Sequence, residues 1–277
     1  MLRIAKAILV ILIFCILTVL TQIGGLVYLG SFFTHKYINK KTNNIYANRI
    51  LKLLTFLIFY IFTTFLIVPP VAKRFGRVPL PILETNNLQP LNVLTCIFNR
   101  NYVKPELKQV AFLVAKRMNE KFPGTVVNYL DASFPFINKF PLFPHLSHND
   151  GEKLDVAFCY IDKKTSKPIN NAPSIIGYGV SEEPRSDEIN TALFCSQKGY
   201  WQYSLLGRII PQKNKMNFTF DSIRTKKLVE IFAAEKLIGK IFIEPHLKTR
   251  LNLTTRKIRF HGCGAVRHDD HIHVQIL

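Results

Sequence analysis

Arg267-His268-Asp269-Asp270-His271-Ile272-His273-Val274-Gln275-Ile276 reads as a polar turn running into a β-strand. Alternate side chains of a strand share a face, so His271 and His273 project the same way, about 7 Å apart at Cα, and can serve one ion. A second stretch, His145-Leu146-Ser147-His148-Asn149-Asp150-Gly151-Glu152-Lys153-Leu154-Asp155, is a polar loop leading into an apolar strand from Leu154 to Ile161. It sets His148 on the loop and Asp155 at the mouth of the strand, and the small Gly151 eases the turn that lets the two converge. Five of the chain's eight histidines lie in these two segments.

A catalytic zinc takes three protein ligands and leaves its fourth position to water. His148, Asp155 and His273 supply a two-histidine, one-carboxylate set. Zinc acidifies water and polarises a carbonyl, and a neighbouring imidazole, His271 or His268, can take the proton or steady the developing oxyanion. Asp269 and Asp270 are expected to orient these rings, and His145 to support them or meet substrate. The alternative is a polar loop with solvated histidines, since a lone His-x-His on a strand is a weak signal.

Around these segments the sequence predicts an α+β domain. Pro105 suits the first turn of a helix whose apolar stripe is Leu107, Val110, Ala111, Val114 and Met118, ending before Pro123-Gly124. Thr125 to Ala132 and Ser174 to Val180 read as strands, with an irregular Phe- and Pro-rich segment from Phe134 to Pro144. Trp201, Tyr200 and Tyr203 line a groove or pack in the core. A helix from Ser222 to Leu237, capped by Asp221 or Ser222, precedes a strand at Lys240–Glu244. Strands near Lys257–Gly262 and Ile272–Leu277 are expected to pair antiparallel and bring the histidine-rich turn to a sheet edge.

The first 77 residues hold ten Lys and Arg and no Asp or Glu, and the remainder carries 27 against 18. That balance favours an anionic polymer or a membrane surface, but no basic run with interleaved aromatics tracks a nucleic-acid backbone, so no nucleic-acid partner is expected. Two apolar runs, about 7–33 and 53–72, have the length of membrane spans, and the first lacks a cleavage site. They read as a transmembrane helical hairpin over 1–72, followed by a Pro-rich connector over 73–92 and a zinc-site domain over 93–277. Lys36, Lys40, Lys41, Arg49 and Lys52 favour a cytoplasmic loop with both ends outside. Four cysteines in the domain permit two disulfides in three connectivities.

His148-x6-Asp155 followed by His271-x-His273 resembles the superfamily of lysostaphin-type, D-alanyl-D-alanine and hedgehog-type zinc peptidases. The likeness is strongest to the penicillin-insensitive murein endopeptidases, in Pro144–Asp155, in His268–Val274 and in Lys240–Lys248. It implies zinc on His148, Asp155 and His273, with His271 as catalytic histidine and His268 assisting. It also implies cleavage of amides in peptidoglycan peptides, which the charge bias of the spans would place at the outer, periplasmic face of the plasma membrane. Leu146 and Lys153 depart from the D-Ala-D-Ala branch, and Arg100 matches its substrate-steadying arginine only by order. A small antiparallel sheet with flanking helices is the fold expected, and a catalytically silent, membrane-tethered peptidoglycan-binding protein is the alternative function.

Overall fold

The structure, a computed structural model, describes residues 2–277. The strands of its two larger sheets are β1 (Leu88–Pro90), β2 (Val127–Tyr129), β3 (Lys153–Ala157), β4 (Tyr160–Asp162), β5 (Pro168–Ile169), β6 (Phe218–Phe220), β7 (Ile238–Phe242), β8 (Ile258–Arg259) and β9 (His271–Ile276). Six of them form the main sheet in the order β8-β7-β9-β3-β2-β1. The histidine strand β9 is therefore central, not at an edge, and runs antiparallel to both neighbours. Its alternation explains the placement: Ile272 and Val274 are buried on one face and His271 and His273 on the other, so both faces need cover. The expected pairing of the last two strands does not form, because β8 runs parallel to β7 instead. With β1 also parallel to β2, the sheet is mixed instead of antiparallel.

Two helices cover the apolar face. In α5 (Pro105–Lys121) the stripe Leu107, Val110, Ala111, Val114 and Met118 is buried as the periodicity predicts. It joins Leu228 and Phe232 of α7 (Ser222–Ala234) and Ile272, Val274 and Ile276 of β9 in one core. Asp221 caps α7 by accepting the Arg224 N–H at 3.0 Å. The run Leu154–Ile161 divides into β3 and β4, which belong to different sheets. Between them Cys159 turns its backbone to the α7 cap, with Asp221 N–H donating to its carbonyl and its own N–H to Thr225 Oγ1. Ser174–Val180 is irregular instead of a strand. Gly177 and Gly179 hold φ of 82° and 81°, and a Cβ on Gly177 would lie 2.3 Å from Leu130.

The N-terminal segment departs from a two-helix hairpin. The first apolar run breaks at Gln22, where φ is 67°, into α1 (Leu2–Thr21) and α2 (Gly24–Lys41). The chain doubles back there, and Gly24 and Gly25 allow the close approach: a Cβ on Gly25 would meet Thr18 Oγ1 at 2.1 Å and the Phe14 carbonyl at 2.6 Å. Thr21 Oγ1 accepts the Gly24 N–H and stitches the turn. Next, α2 runs antiparallel to α3 (Ile45–Phe62), with Tyr28 against Phe56 near one end and Asn48 donating to Asn39 near the other. Helix α3 continues through a π turn at Thr63–Ile67 into α4 (Val68–Arg74). Pro69 and Pro70 thus lie in a helix, the widened turn meeting their missing N–H groups by pairing Val68 N–H with the Thr63 carbonyl. Arg3–Thr21 and Ile45–Arg74 are long and apolar enough to cross a membrane.

The connector is not separate from the domain. Val78–Pro79 pairs with Tyr102–Val103, β1 includes Pro90 at the sheet edge, and Leu80 and Leu88 are fully buried in the core. The helical bundle also seats directly on the domain. Tyr60 Oη donates to the Ile97 carbonyl at 2.6 Å, Asn99 Nδ2 to the Thr21 carbonyl at 3.3 Å, and the Phe136 N–H to Gln22 Oε1 at 2.8 Å.

Replacing Gly25 with valine should push α2 off α1 at a cost of about 1–3 kcal/mol, because a backbone carbonyl cannot yield to the new side chain. The measurement is thermal unfolding of the full chain in detergent, and an unchanged melting temperature would contradict the doubled-back turn.

Candidate metal centre

Strand register builds the site. His273 lies opposite Asp155 across β9 and β3, and the two side chains meet with His273 Nδ1 2.9 Å from Asp155 Oδ1. His148 comes in from the loop before β3, where Gly151 adopts φ of 82° as the turn requires. Its Nδ1 donates to the Ala132 carbonyl at 2.9 Å, which fixes the ring and leaves Nε2 3.0 Å from His273 Nδ1 and 3.1 Å from Asp155 Oδ1. Ligand atoms of the three groups lie within 4.8 Å of one another, and all three side chains are buried. Two imidazoles and one carboxylate converging on one point form a donor set that fits zinc.

The other carboxylate oxygen of Asp155 meets Tyr178, His271 and His145. Tyr178 Oη donates to Oδ2 at 2.8 Å while accepting the Asp131 N–H at 3.0 Å. His271 Nε2 stands 3.6 Å from the same oxygen, and its Nδ1 donates to Asp270 Oδ1 at 2.5 Å. Asp270 Oδ2 in turn accepts the Gly179 N–H, so this carboxylate is held between that amide and the His271 ring. His145 Nδ1 pairs with Asp131 Oδ2 at 2.9 Å and lies 3.7 Å from Asp155 Oδ2. His268 packs its ring 5.0 Å from His271 and 5.6 Å from His273. Asp269 is the exception: it binds Arg267 and orients no histidine ring.

Burial and charge set the protonation. Burial pushes His273 down to about 3, against the pull of Asp155, so the ring is neutral and free to bind an ion. Burial likewise holds His268 well below its ordinary value, with the charges of His271 and His273 adding to the effect. Burial works against a charge on Asp155, but His148, His271 and the hydrogen bonds to it hold its carboxyl well below the usual range. Burial also opposes a charge on His271, and the carboxylates of Asp155 and Asp270 overcome it, raising the ring to about 9.

The structure adds groups that no spacing signalled. Tyr178 sits in the segment read as a strand, and Asp131 follows β2. Arg100 pairs with Asp131 at 2.9 Å and holds the Phe143 carbonyl at 2.6 Å. Glu244, fully buried, accepts from Thr191 and Tyr203 hydroxyls and from the His268 N–H. Tyr203 is thus a core residue, whereas Trp201 stands at the rim of a 380 Å³ cleft floored by His145, His148, His268 and His273. His261 also reaches this cleft, its ring 5.5 Å from His268. One disulfide, Cys195–Cys263, ties α6 (Thr191–Gln197) to the loop carrying His261, while Cys96 and Cys159 are free thiols.

No family model and no curated protein matches this chain.

Tyr178→Phe removes both hydrogen bonds of that hydroxyl and should weaken zinc binding about 10–100-fold. Asp269→Asn should leave the affinity unchanged. Competition against a chromogenic chelator reads both, and equal losses in the two variants would contradict the partner assignments.

Proposed function

We propose that this protein is a membrane-anchored, zinc-dependent peptidase that hydrolyses amide bonds in peptidoglycan peptides, in the manner of the murein endopeptidases it resembles. The observation that carries the reading is the junction of two arrangements at one carboxylate. Asp155 meets the ligand pair His148 and His273 through one oxygen and stands beside His271 through the other. Zinc, held by His148, Asp155 and His273, would supply a Lewis acid that acidifies water and polarises the scissile carbonyl.

The chain's own residues then do the rest. Asp270 fixes His271 with its proton on Nδ1, which leaves Nε2 directed into the site with no hydrogen-bond partner among the described residues. With the ring raised to about 9 that nitrogen carries a proton, which suits it to steady the developing oxyanion and to protonate the leaving amine. His268, kept neutral by burial beside His271, adds a second imidazole next to the reacting atoms. A module that only binds needs neither the oriented ring nor its carboxylate.

Two features support a domain outside the plasma membrane. The doubled-back α2 brings Arg3 and Lys6 to the same end of the bundle as Lys36, Lys40, Lys41, Arg49 and Lys52, leaving Lys73, Arg74 and Arg77 beside the domain. Such a bias favours that end in the cytoplasm, and with it the N-terminal segment, which the hairpin reading would have put outside. The disulfide fits an oxidising compartment.

The full chain in detergent, incubated with cross-linked muropeptides, should release monomers in a zinc-dependent reaction followed by mass spectrometry. His271→Ala should retain zinc and lose about 10²–10⁴-fold in rate, whereas His273→Ala should lose the zinc. Intact muropeptides with folded, zinc-loaded protein would overturn the reading. For orientation, Ile189→Cys should react with a membrane-impermeant maleimide in intact cells, and Lys6→Cys and Lys40→Cys only after lysis. Labelling of Lys6→Cys before lysis would contradict the proposed side.

A further inference from the structure

The metal centre is coupled to the bundle by adjacent residues. Asn99 donates to the Thr21 carbonyl at the tip of α1 and to Tyr60 Oη of α3, each at 3.3 Å. The next residue, Arg100, holds Asp131 and the Phe143 carbonyl, and Asp131 holds His145. A second connection runs along the segment from Phe134 to Pro144. It is fastened to the bundle where the Phe136 N–H meets Gln22, and it ends as the lip of the cleft at Phe143 and Pro144. No flexible linker separates the two parts, so a bundle in a bilayer holds the cleft at the membrane surface.

The chemistry of the cleft suits that place. Among the described residues its wall contains no Lys, Arg, Asp or Glu, and beyond the histidine floor it is made largely of Phe143, Leu146, Trp201, Leu205, Leu206 and Val266. Three of these form an open apolar rim: Phe143 is 64% exposed, Leu146 51% and Trp201 63%. Exposure on that scale is costly in water and ordinary at a lipid surface. A neighbouring 120 Å³ cavity shares Pro144 and Leu206 with the cleft and carries the apolar lining on to Leu94 and Phe98. Those two residues flank Ile97, whose carbonyl receives the Tyr60 hydroxyl of the bundle. A path with Leu94, Phe98, Pro144 and Leu206 on its apolar side and the Arg100–Asp131 ion pair on the other therefore runs from beside the head of the bundle to the cleft.

The geometry points to a substrate that is itself carried on a lipid: a peptide joined to a membrane-embedded chain, whose apolar part lies along Phe143, Leu146 and Trp201 while its amide reaches the histidine floor. This substrate class rests on the peptidase reading and narrows it. A free polar peptide would find no charged partner in the wall, since Arg100, which borders the path, is already engaged by Asp131.

The test uses the zinc-loaded full chain in phosphatidylcholine nanodiscs. Cross-linked muropeptide dimers are compared with the same dimers bearing a palmitoyl chain at the sugar end, so the scissile bond is identical. The acylated dimer should show kcat/KM at least about tenfold higher, from chain burial in the cleft. Enrichment at the nanodisc surface alone would give a preference too, and the rim variants separate the causes. In Phe143→Ser and Leu146→Ser the ratio of acylated to free kcat/KM should fall towards unity. Equal rates on the two dimers, or a preference that both variants retain, would overturn the lipid-borne substrate and leave the peptidase standing. If neither dimer is cleaved, the peptidase reading falls, and the emission of Trp201, the protein's one tryptophan, decides the rest. A shift with the acylated dimer that is absent with the free dimer supports the apolar cleft; identical responses sink it.

Discussion

The pairing of His273 with Asp155 across the middle of the sheet constrains the rest of this structure. A carboxylate and an imidazole, each fully buried between two strands, lose their hydration and must be repaid by neighbours. The surrounding architecture meets that demand piece by piece. Tyr178 donates to the free carboxylate oxygen, His148 closes on the other, and Asp131 and Asp270 hold the flanking His145 and His271. What stays unmet is on the imidazoles: the Nε2 atoms of His145, His271 and His273 are buried without a partner among the described residues. These open nitrogens lie around Asp155, where His148, Asp155 and His273, and also His145, Asp155 and His271, are placed closely enough to hold a metal ion.

The same logic explains why the sheet is central and the helices lie to one side. Ile272 and Val274 anchor β9 in the apolar core under α5 and α7, and that fixes the strand's rotation so that His271 and His273 must face Asp155, with His273 on the cleft floor. A slip of one residue would exchange the two faces, burying histidines in the core and exposing isoleucine to the site. Fold stability and site geometry thus depend on one register.

Much of this was legible in the sequence because period-two and period-3.6 patterns are local. The His271-x-His273 alternation, the stripe of α5 and the Asp221 cap all emerged as their spacing indicated. Sheet order was not legible, since β9 lies between β7, whose Phe242 faces His273, and β3, whose Asp155 comes over a hundred residues earlier in the chain. The fold-back at Gln22 was hidden by an unbroken apolar run, although Gly24-Gly25 marks it once the close approach to Phe14 and Thr18 is seen. Tyr178 and Asp131 escaped for a related reason: they reach Asp155 through tertiary contacts, and neither stands at a repeating interval from the histidines. Four cysteines left three pairings open, and the structure forms a single bond between the two that flank the cleft.

The central claim is that His148, Asp155 and His273 jointly hold one zinc ion. X-ray absorption at the zinc edge, on full-length protein carrying one equivalent of zinc, addresses it directly. The account requires a first coordination sphere of nitrogen and oxygen only, with the multiple-scattering pattern of two imidazoles, and the loss of one imidazole in His148→Ala. Sulfur in that sphere, or a spectrum unchanged by His148→Ala, would place the ion elsewhere and contradict the account.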